Sequence, residues 1–283
     1  MLVLAFCYWW FHPPINIHSV DLWFALAIFI LLPSFLIFFS FKQIYANGMG
    51  KREKSEKMSK RFKILMFVPL AIAAVGLIGA LLSLSLFPGN AEKYATILQT
   101  EETDFATDIQ EVNYSEIPFI DRDSAMLLGN RTMGAMADYV SQYVIDDIYT
   151  QINYQDSPVR VSPLNYADLF KWWSNKETGI PGYVIVNMST QDTQIVRLDD
   201  PIYYSDSDPL FNNVDRHVQL KYPFYILGEK SFEIDDNGKP YWIYPVMDYK
   251  VGLFGGQTVS RIILCDANTG ECQDIAIEDV PQW

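Results

Sequence analysis

Histidine and cysteine are scarce, with three of each in 283 residues, and this removes most metal-binding and nucleophilic chemistry from consideration. Basic residues are outnumbered 34 to 21 by acidic ones. The net charge of −13 excludes a broad phosphate-neutralising surface, so no nucleic-acid partner is expected. Charged residues make up only 19% of the chain against 50% hydrophobic, which is too apolar for a disordered protein. Collagen-like, disulfide-scaffold and low-complexity readings fail on glycine, proline and cysteine content.

The scarce residues are also poorly placed for chemistry. Cys7 lies in an apolar N-terminus, whereas Cys265 and Cys272 flank a DANTGE turn, so no metal-ligand set is read from them. A four-residue loop from Ala267 to Gly270 would face Cys265 with Cys272 and permit a cross-strand disulfide; a three-residue loop would shift the register and leave two free thiols. His12 and His18 border apolar segments, and His217 stands alone in NNVDRHVQLKYP as a surface or half-buried helix residue. VGLFGGQT lacks the lysine of a phosphate-binding loop and the glycine spacing of a dinucleotide fingerprint. No cofactor is therefore expected, and Gly252, Gly255 and Gly256 are read as a turn between strands.

What is present is a sharp segregation of charge. Residues 88–283 hold 31 acidic and 13 basic residues, a net of −18, while residues 1–87 hold 8 basic and 3 acidic. Leu22 to Phe41 (20 residues) and Ile64 to Phe87 (24 residues) are free of charge, each long enough as a helix to span a hydrocarbon core of ~30 Å. They are read as two transmembrane helices. The intervening segment 42–63 carries all eight basic residues of the first part, which by the positive-inside bias makes it a cytoplasmic loop. The expected organisation is an apolar N-terminal segment and outer loop (1–21), a span (22–41), the basic loop (42–63), a second span (64–87), an acidic linker (88–116) and an extracytoplasmic domain (117–283). The lipid bilayer is then a partner and the plasma membrane the location. Met1 to Phe11 is too short to span and reads either as the remnant of a third span or as an interfacial segment. Gly76, Gly79, Ala80 and Ser83 share one helical face and form a small-residue packing seam, open to another protein or to the first span of the same chain.

Glu101 to Glu116 holds six acidic residues and no basic one, as expected of a solvated linker. Beyond it, helices are expected at 123–129, extended over 132–139, and from Ser162 as N-cap through Ser174, with Leu169, Phe170 and Trp173 on the face that packs. Strands are expected over Val144–Tyr154 and Pro158–Val161. Three hairpins follow in GYVIVNMSTQDTQIVRL, SFEIDDNGKPYWIYPVMDY and SRIILCDANTGECQDIAI. Together they predict a mainly antiparallel α+β domain.

PGYVIVNMSTQDTQIV and IILCDANTGECQDI resemble the strand-turn-strand element of PepSY-like domains, extracytoplasmic modules associated with inhibition, binding or scaffolding. Phe105 to Trp283 is similar to an uncharacterised group of membrane-anchored envelope proteins of Gram-positive bacteria, through DIYTQINYQDSPVRVSPLNYADLFKWW, GIPGYVIVNM, VGLFGG and DVPQW. Members of that group continue past this last motif, which implies an incomplete domain, and the group has no activity to carry over.

Carboxylate pairs abound, among them Asp121 with Asp123, Asp146 with Asp147 and Asp206 with Asp208, and this abundance makes each one uninformative. Adjacent Trp172 and Trp173 point about 100° apart on a helix, so one is expected at the surface; with Arg160 and Lys171 nearby, Arg160, Lys171 and Trp172 form the expected partner-binding surface. The expected function is that of a membrane-anchored envelope binding or scaffold protein, non-enzymatic, with a protein partner. The alternatives are an envelope hydrolase using paired carboxylates and an accessory subunit of a membrane complex.

Overall fold

A computed structural model describes residues 2–31, 33, 35–37, 39–40, 67–68, 70–98, 102–108, 111, 113–281 and 283. Helices are α1 (Leu2–Phe11), α2 (Val20–Leu26), α3 (Asn90–Ala95), α4 (Phe105–Asp108), α5 (Arg122–Gly134), α6 (Ala137–Val140), α7 (Leu169–Asn175) and α8 (Val214–Lys221). Residues 70–82 are also helical. The strands form two antiparallel five-stranded sheets. The first contains β1 (Tyr143–Ile145), β2 (Thr150–Tyr154), β3 (Ser157–Tyr166), β4 (Ile180–Asn187) and β5 (Thr193–Ile202), in the order β1-β3-β4-β5 with β2 also on β3. The second contains β6 (Ile226–Leu227), β7 (Ser231–Ile234), β8 (Pro240–Val251), β9 (Gly255–Asp266) and β10 (Cys272–Ala276), in the order β10-β9-β8-β6 with β7 also on β8.

The core lies where the sheets meet. Tyr183 of β4, Phe232 of β7 and Trp242 of β8 make a chain of ring contacts, with centroids 6.1 and 5.1 Å apart, and Phe232 and Trp242 are fully buried. The Trp242 indole N–H donates to the Tyr204 carbonyl at 2.9 Å and the Tyr183 hydroxyl donates to that of Gly238 at 3.0 Å, so neither polar tip is stranded in the core. Strand β4 is apolar along nearly its whole length because both of its faces are covered. Val184 and Val186 pack with Ala125 of α5, while Tyr183 and Ile185 face the joint. By contrast β8 alternates, with Trp242, Tyr244 and Val246 inward. Gly182 interrupts the β4–β5 register, and a Cβ there would lie 1.9 Å from the Val196 carbonyl oxygen, so only glycine fits.

The three expected hairpins correspond to β4–β5, β7–β8 and β9–β10. The region 143–175 differs from expectation. The single strand Val144–Tyr154 is broken into β1 and β2, with the Asp146 carboxylate accepting from the Ile148 amide in the break. The strand from Ser157 runs on through Ser162 and Pro163 to Tyr166, so Asp168 caps α7 by accepting from the Phe170 and Lys171 amides. This later start rotates α7, which buries Trp172 and leaves Leu169, Phe170 and Trp173 exposed.

The two membrane spans are not found. Among the described residues, no helix is long and apolar enough to cross a membrane. Within Leu22 to Phe41, α2 gives way after Leu26 to a π-helical turn over Ala27–Leu31, whose wider hydrogen-bond ladder breaks the α-helical rise. Within Ile64 to Phe87, the helical stretch ends at residue 82. The placement in the plasma membrane and the extracytoplasmic side of residues 88–283 rested on those spans and are withdrawn with them. The basic loop 42–63, and parts of both apolar runs, lie outside the described residues.

Both apolar regions are tied to the second sheet. The Ser83 hydroxyl donates to Gly79 O and accepts from the amides of Leu253 and Phe254, both at 2.9 Å, in the turn between β8 and β9. Gly252, at φ 61°, lies against this contact, where a Cβ would stand 2.6 Å from the Ser83 oxygen. The Asn90 side chain returns to donate to the Leu82 and Leu84 carbonyls, and the Tyr94 hydroxyl donates to that of Ser83, so the freed carbonyls of the helix end are satisfied. Asn90 is the first residue of α3, and Gly89 holds the cap position. On the other side of the turn, His18 makes a 2.7 Å hydrogen bond to Leu253 O and stacks on Tyr249, and Trp23 meets Phe254 edge-on.

Ser83→Ala would leave two amides of a half-buried turn without their acceptor, at a cost of about 1 kcal/mol. The expected outcome is a lower unfolding midpoint with faster hydrogen exchange at Leu253 and Phe254. Unchanged exchange at both would show that the turn does not depend on Ser83.

Candidate functional site

The N-terminal segment reaches past the second sheet to α8. The Ile15 amide donates to the Pro223 carbonyl at 2.6 Å and the Asn16 side chain donates to that of Phe224 at 3.0 Å. The guanidinium of Arg216, buried in α8, stands 4.2 Å over the Trp9 ring and donates to the carbonyls of Trp9, Pro209 and Leu210. Between this segment and the faces of α8 and β8 lies a cleft of about 510 Å³. Its apolar lining comes from Phe11, Pro13, Pro14, Phe24 and Ile28 of the N-terminal segment with Ile226 and Leu227 opposite. Its polar lining, which we call the polar wall, is His12 and Asp21 of the same segment with Asp215, Gln219 and Tyr244. A mostly apolar cleft with a few convergent polar groups is the arrangement expected of a ligand site.

The polar wall continues into a charge cluster. Lys230 Nζ stands 3.0 Å from Asp206 and hydrogen-bonds both oxygens of Asp215, at 2.9 and 3.0 Å, while the Tyr244 hydroxyl donates to Asp215 at 2.7 Å. Burial, and next the Asp215 charge, push the Asp206 carboxyl up to about 6 against the opposing pull of Lys230. Burial works against the Lys230 charge, yet the two carboxylates outweigh it and raise its pKa. Burial, with Asp215 beside it, holds the Tyr244 phenol protonated well beyond its usual range. His12 adopts φ 33°, a strained backbone for a residue with a side chain, and burial followed by the Arg216 charge lowers its pKa, so it presents a neutral imidazole at pH 7.

The carboxylate pairs of the sequence are dispersed by the fold. Asp121 caps α5 by accepting from the Ser124 amide, and Asp146 serves the β1–β2 break. Asp206 and Asp208 part: the first joins Lys230, while the second, buried, accepts the Trp172 indole N–H at 2.7 Å and the Leu210 amide at 2.7 Å. The pair that forms, Asp206 with Asp215, is separated by a turn that no spacing rule anticipates. Asp215 sits next to Arg216 on α8, and this helix register is the one sequence signal that could have linked it to the N-terminal wall.

The expected partner-binding residues are differently situated. Arg160 on β3 donates to Tyr149 O at 2.8 Å and to the Gln151 side chain, whereas Trp172 is buried against Asp208, and the half-buried Lys171 lies beside it on α7. Trp173 carries the exposed ring instead, with Lys176 Nζ 4.1 Å above it. The small-residue seam packs within the chain: Gly76 against Trp23, Gly79 against Leu253 and Ser83 against the β8–β9 turn, with Ala80 lining a second, apolar cavity of about 490 Å³ beside α2. Cys265 and Cys272 face each other in register across β9–β10, with Cα atoms 4.0 Å apart, and are joined as a disulfide.

An acid whose folded pKa lies above its unfolded value stabilises the fold below the unfolded value, and that stability is lost as pH rises through the folded value. Asp206 therefore contributes a fall in stability between about pH 4 and pH 6–7, and Asp206→Asn is expected to flatten that part of a urea-denaturation pH profile. Lys230→Met strands two carboxylates and is expected to cost about 3 kcal/mol at pH 7. The cost should be smaller at pH 4.5, where Asp206 takes up a proton; an equal loss at both pH values would count against the cluster.

No protein-family model matches the chain, and neither a curated protein nor a solved structure matches it.

Proposed function

We propose that the chain is a binding protein rather than an enzyme, and that the cleft between its N-terminal segment and α8 receives an apolar molecule bearing an amino group. The observation that carries this reading is the pairing of an apolar wall with acidic groups in one cleft of about 510 Å³. Asp21 and Asp215 line it and Asp206 lies behind; Lys230 and Tyr244 already bond Asp215, so Asp21, which has no ion-pair partner among the described residues, is the carboxylate that favours a cation. His12 adds a neutral donor or acceptor rather than a competing charge. The π-helical turn after α2 helps shape the apolar wall, with Ile28 and Phe29 facing the cleft.

A hydrolytic reading draws on Asp206 and Asp215, two neighbouring carboxyl groups of which one titrates near 6. Against it, Asp215 is already bound by Lys230 through both oxygens and by Tyr244, which leaves it little freedom to activate water. Binding without turnover accounts better for a carboxylate so fully occupied.

Ligand-observed NMR with octylamine and octanoate tests the proposal. Octylamine is expected to bind, octanoate at least about tenfold more weakly, since one charge contact is worth ~1.4 kcal/mol or more at a partly buried site. Ala25→Phe, which puts a ring into the cleft, should abolish the octylamine signal. Equal binding of the two chains, or none of either, would overturn the reading.

A further inference from the structure

The fold brings His217 of α8 to the disulfide of the β9–β10 hairpin. A ring nitrogen of His217 and the sulfurs of Cys265 and Cys272 all lie within 4.8 Å of one another. We propose that, once the disulfide is reduced, these three side chains form a binding site for a thiophilic divalent cation of the zinc type, so that the oxidation state of the hairpin decides whether the ion is held.

The donor set suits such an ion. Two thiolates and an imidazole are borderline-soft ligands, and three of them leave one position for water or an external ligand. The positions are held by the surroundings rather than by the disulfide alone. His217 Nε2–H donates to Gly270 O at 2.7 Å, which leaves Nδ1 as the nitrogen with a lone pair for the ion, and its ring packs on Tyr204 with centroids 4.5 Å apart. Gly270, at φ 72°, lies so close to the Tyr204 ring that a Cβ would stand 2.2 Å from it. The Asp266 carboxylate accepts from the Asn268 and Thr269 amides, and the Asn268 side chain is anchored on the Asp200 and Pro201 carbonyls. With the turn fixed at both ends, opening the S–S bond leaves both sulfurs beside the imidazole, and preorganisation of this kind is what a metal site requires.

The chemistry balances with a dithiol as reductant. The reductant supplies two electrons and two protons, the S–S bond breaks to give two Cys thiols, and the dithiol leaves as a cyclic disulfide. Binding of the divalent cation then displaces the two thiol protons. Cys265 is fully buried and Cys272 nearly so, and Cys272 lies on β10, the edge strand of the second sheet, so the reductant reaches the bond when that edge strand opens.

The test uses the full chain carrying Cys7→Ser, so that no other thiol contributes. Protein reduced with dithiothreitol and freed of it under argon is titrated with Zn²⁺ against a chromophoric chelator, beside the oxidised protein; Co²⁺ then reports thiolate ligation by its charge-transfer absorption. The expected result is one ion per reduced chain, none in the oxidised form, and loss of binding in Cys265→Ser/Cys272→Ser. His217→Gln, a milder change to the core, should weaken Zn²⁺ binding by about tenfold or more. No uptake by the reduced chain, equal uptake by the oxidised chain, or an affinity indifferent to His217→Gln would each overturn the proposal.

Discussion

The Ser83 hydroxyl accepts from two consecutive amides of the β8–β9 turn, and that clasp fixes the end of the helix over residues 70–82 against the second sheet. Two amides in a tight turn have no strand partner, so an outside acceptor is needed, and the exposed end of a helix is well suited to bring one. Gly252 permits the approach, while Asn90 and Tyr94 satisfy the carbonyls that the ending helix releases. With the helix end held there, Gly76 meets Trp23, Trp23 meets Phe254, and His18 bonds Leu253. The N-terminal segment is thereby directed along the second sheet toward Arg216, and the cleft is the space left between them.

That cleft has a polar wall whose charges restrain one another. Lys230 stays charged because it faces two carboxylates, and burial, followed by the Asp215 charge, pushes Asp206 up to about 6 in spite of that lysine. The arrangement is rigid, with Tyr244 and Lys230 occupying Asp215 from two sides. The Cys265–Cys272 hairpin is linked to the cleft through α8, where His217 and Asp215 belong to the same two turns, and through β8, which pairs with β9 and brings Tyr244 to the cleft. Occupancy at either place would act on α8 from opposite faces.

The antiparallel hairpins were legible because their signals are local: alternation in SFEIDDNGKPYWIY, turn residues at Asp236 to Gly238, and matching apolar strands around DANTGE. The course of β3 was not legible, because Ser162-Pro163 reads as a helix start while its backbone lies in a strand pairing with β4 and with β1 beyond Pro163. Long uncharged runs gave the strongest signal of all, and it misled. Apolar length measures how much a segment gains by leaving water, and the described parts of these runs meet that need in part by packing on Phe254 and Leu253.

The amino-acid sequence by itself determined the excess of acid, the hairpins, the facing of the two cysteines for a four-residue turn, and the small-residue face of Gly76, Gly79, Ala80 and Ser83, because each depends on neighbours a few residues apart. Only the tertiary structure decided what those features meet. Asp215 finds Lys230 and Tyr244, His217 finds the two cysteines, and Ser83 finds the turn at Leu253. These partners are 15 to 170 residues apart along the chain. Contacts across such separations are selected by the packing of whole sheets and helices, which no local spacing encodes.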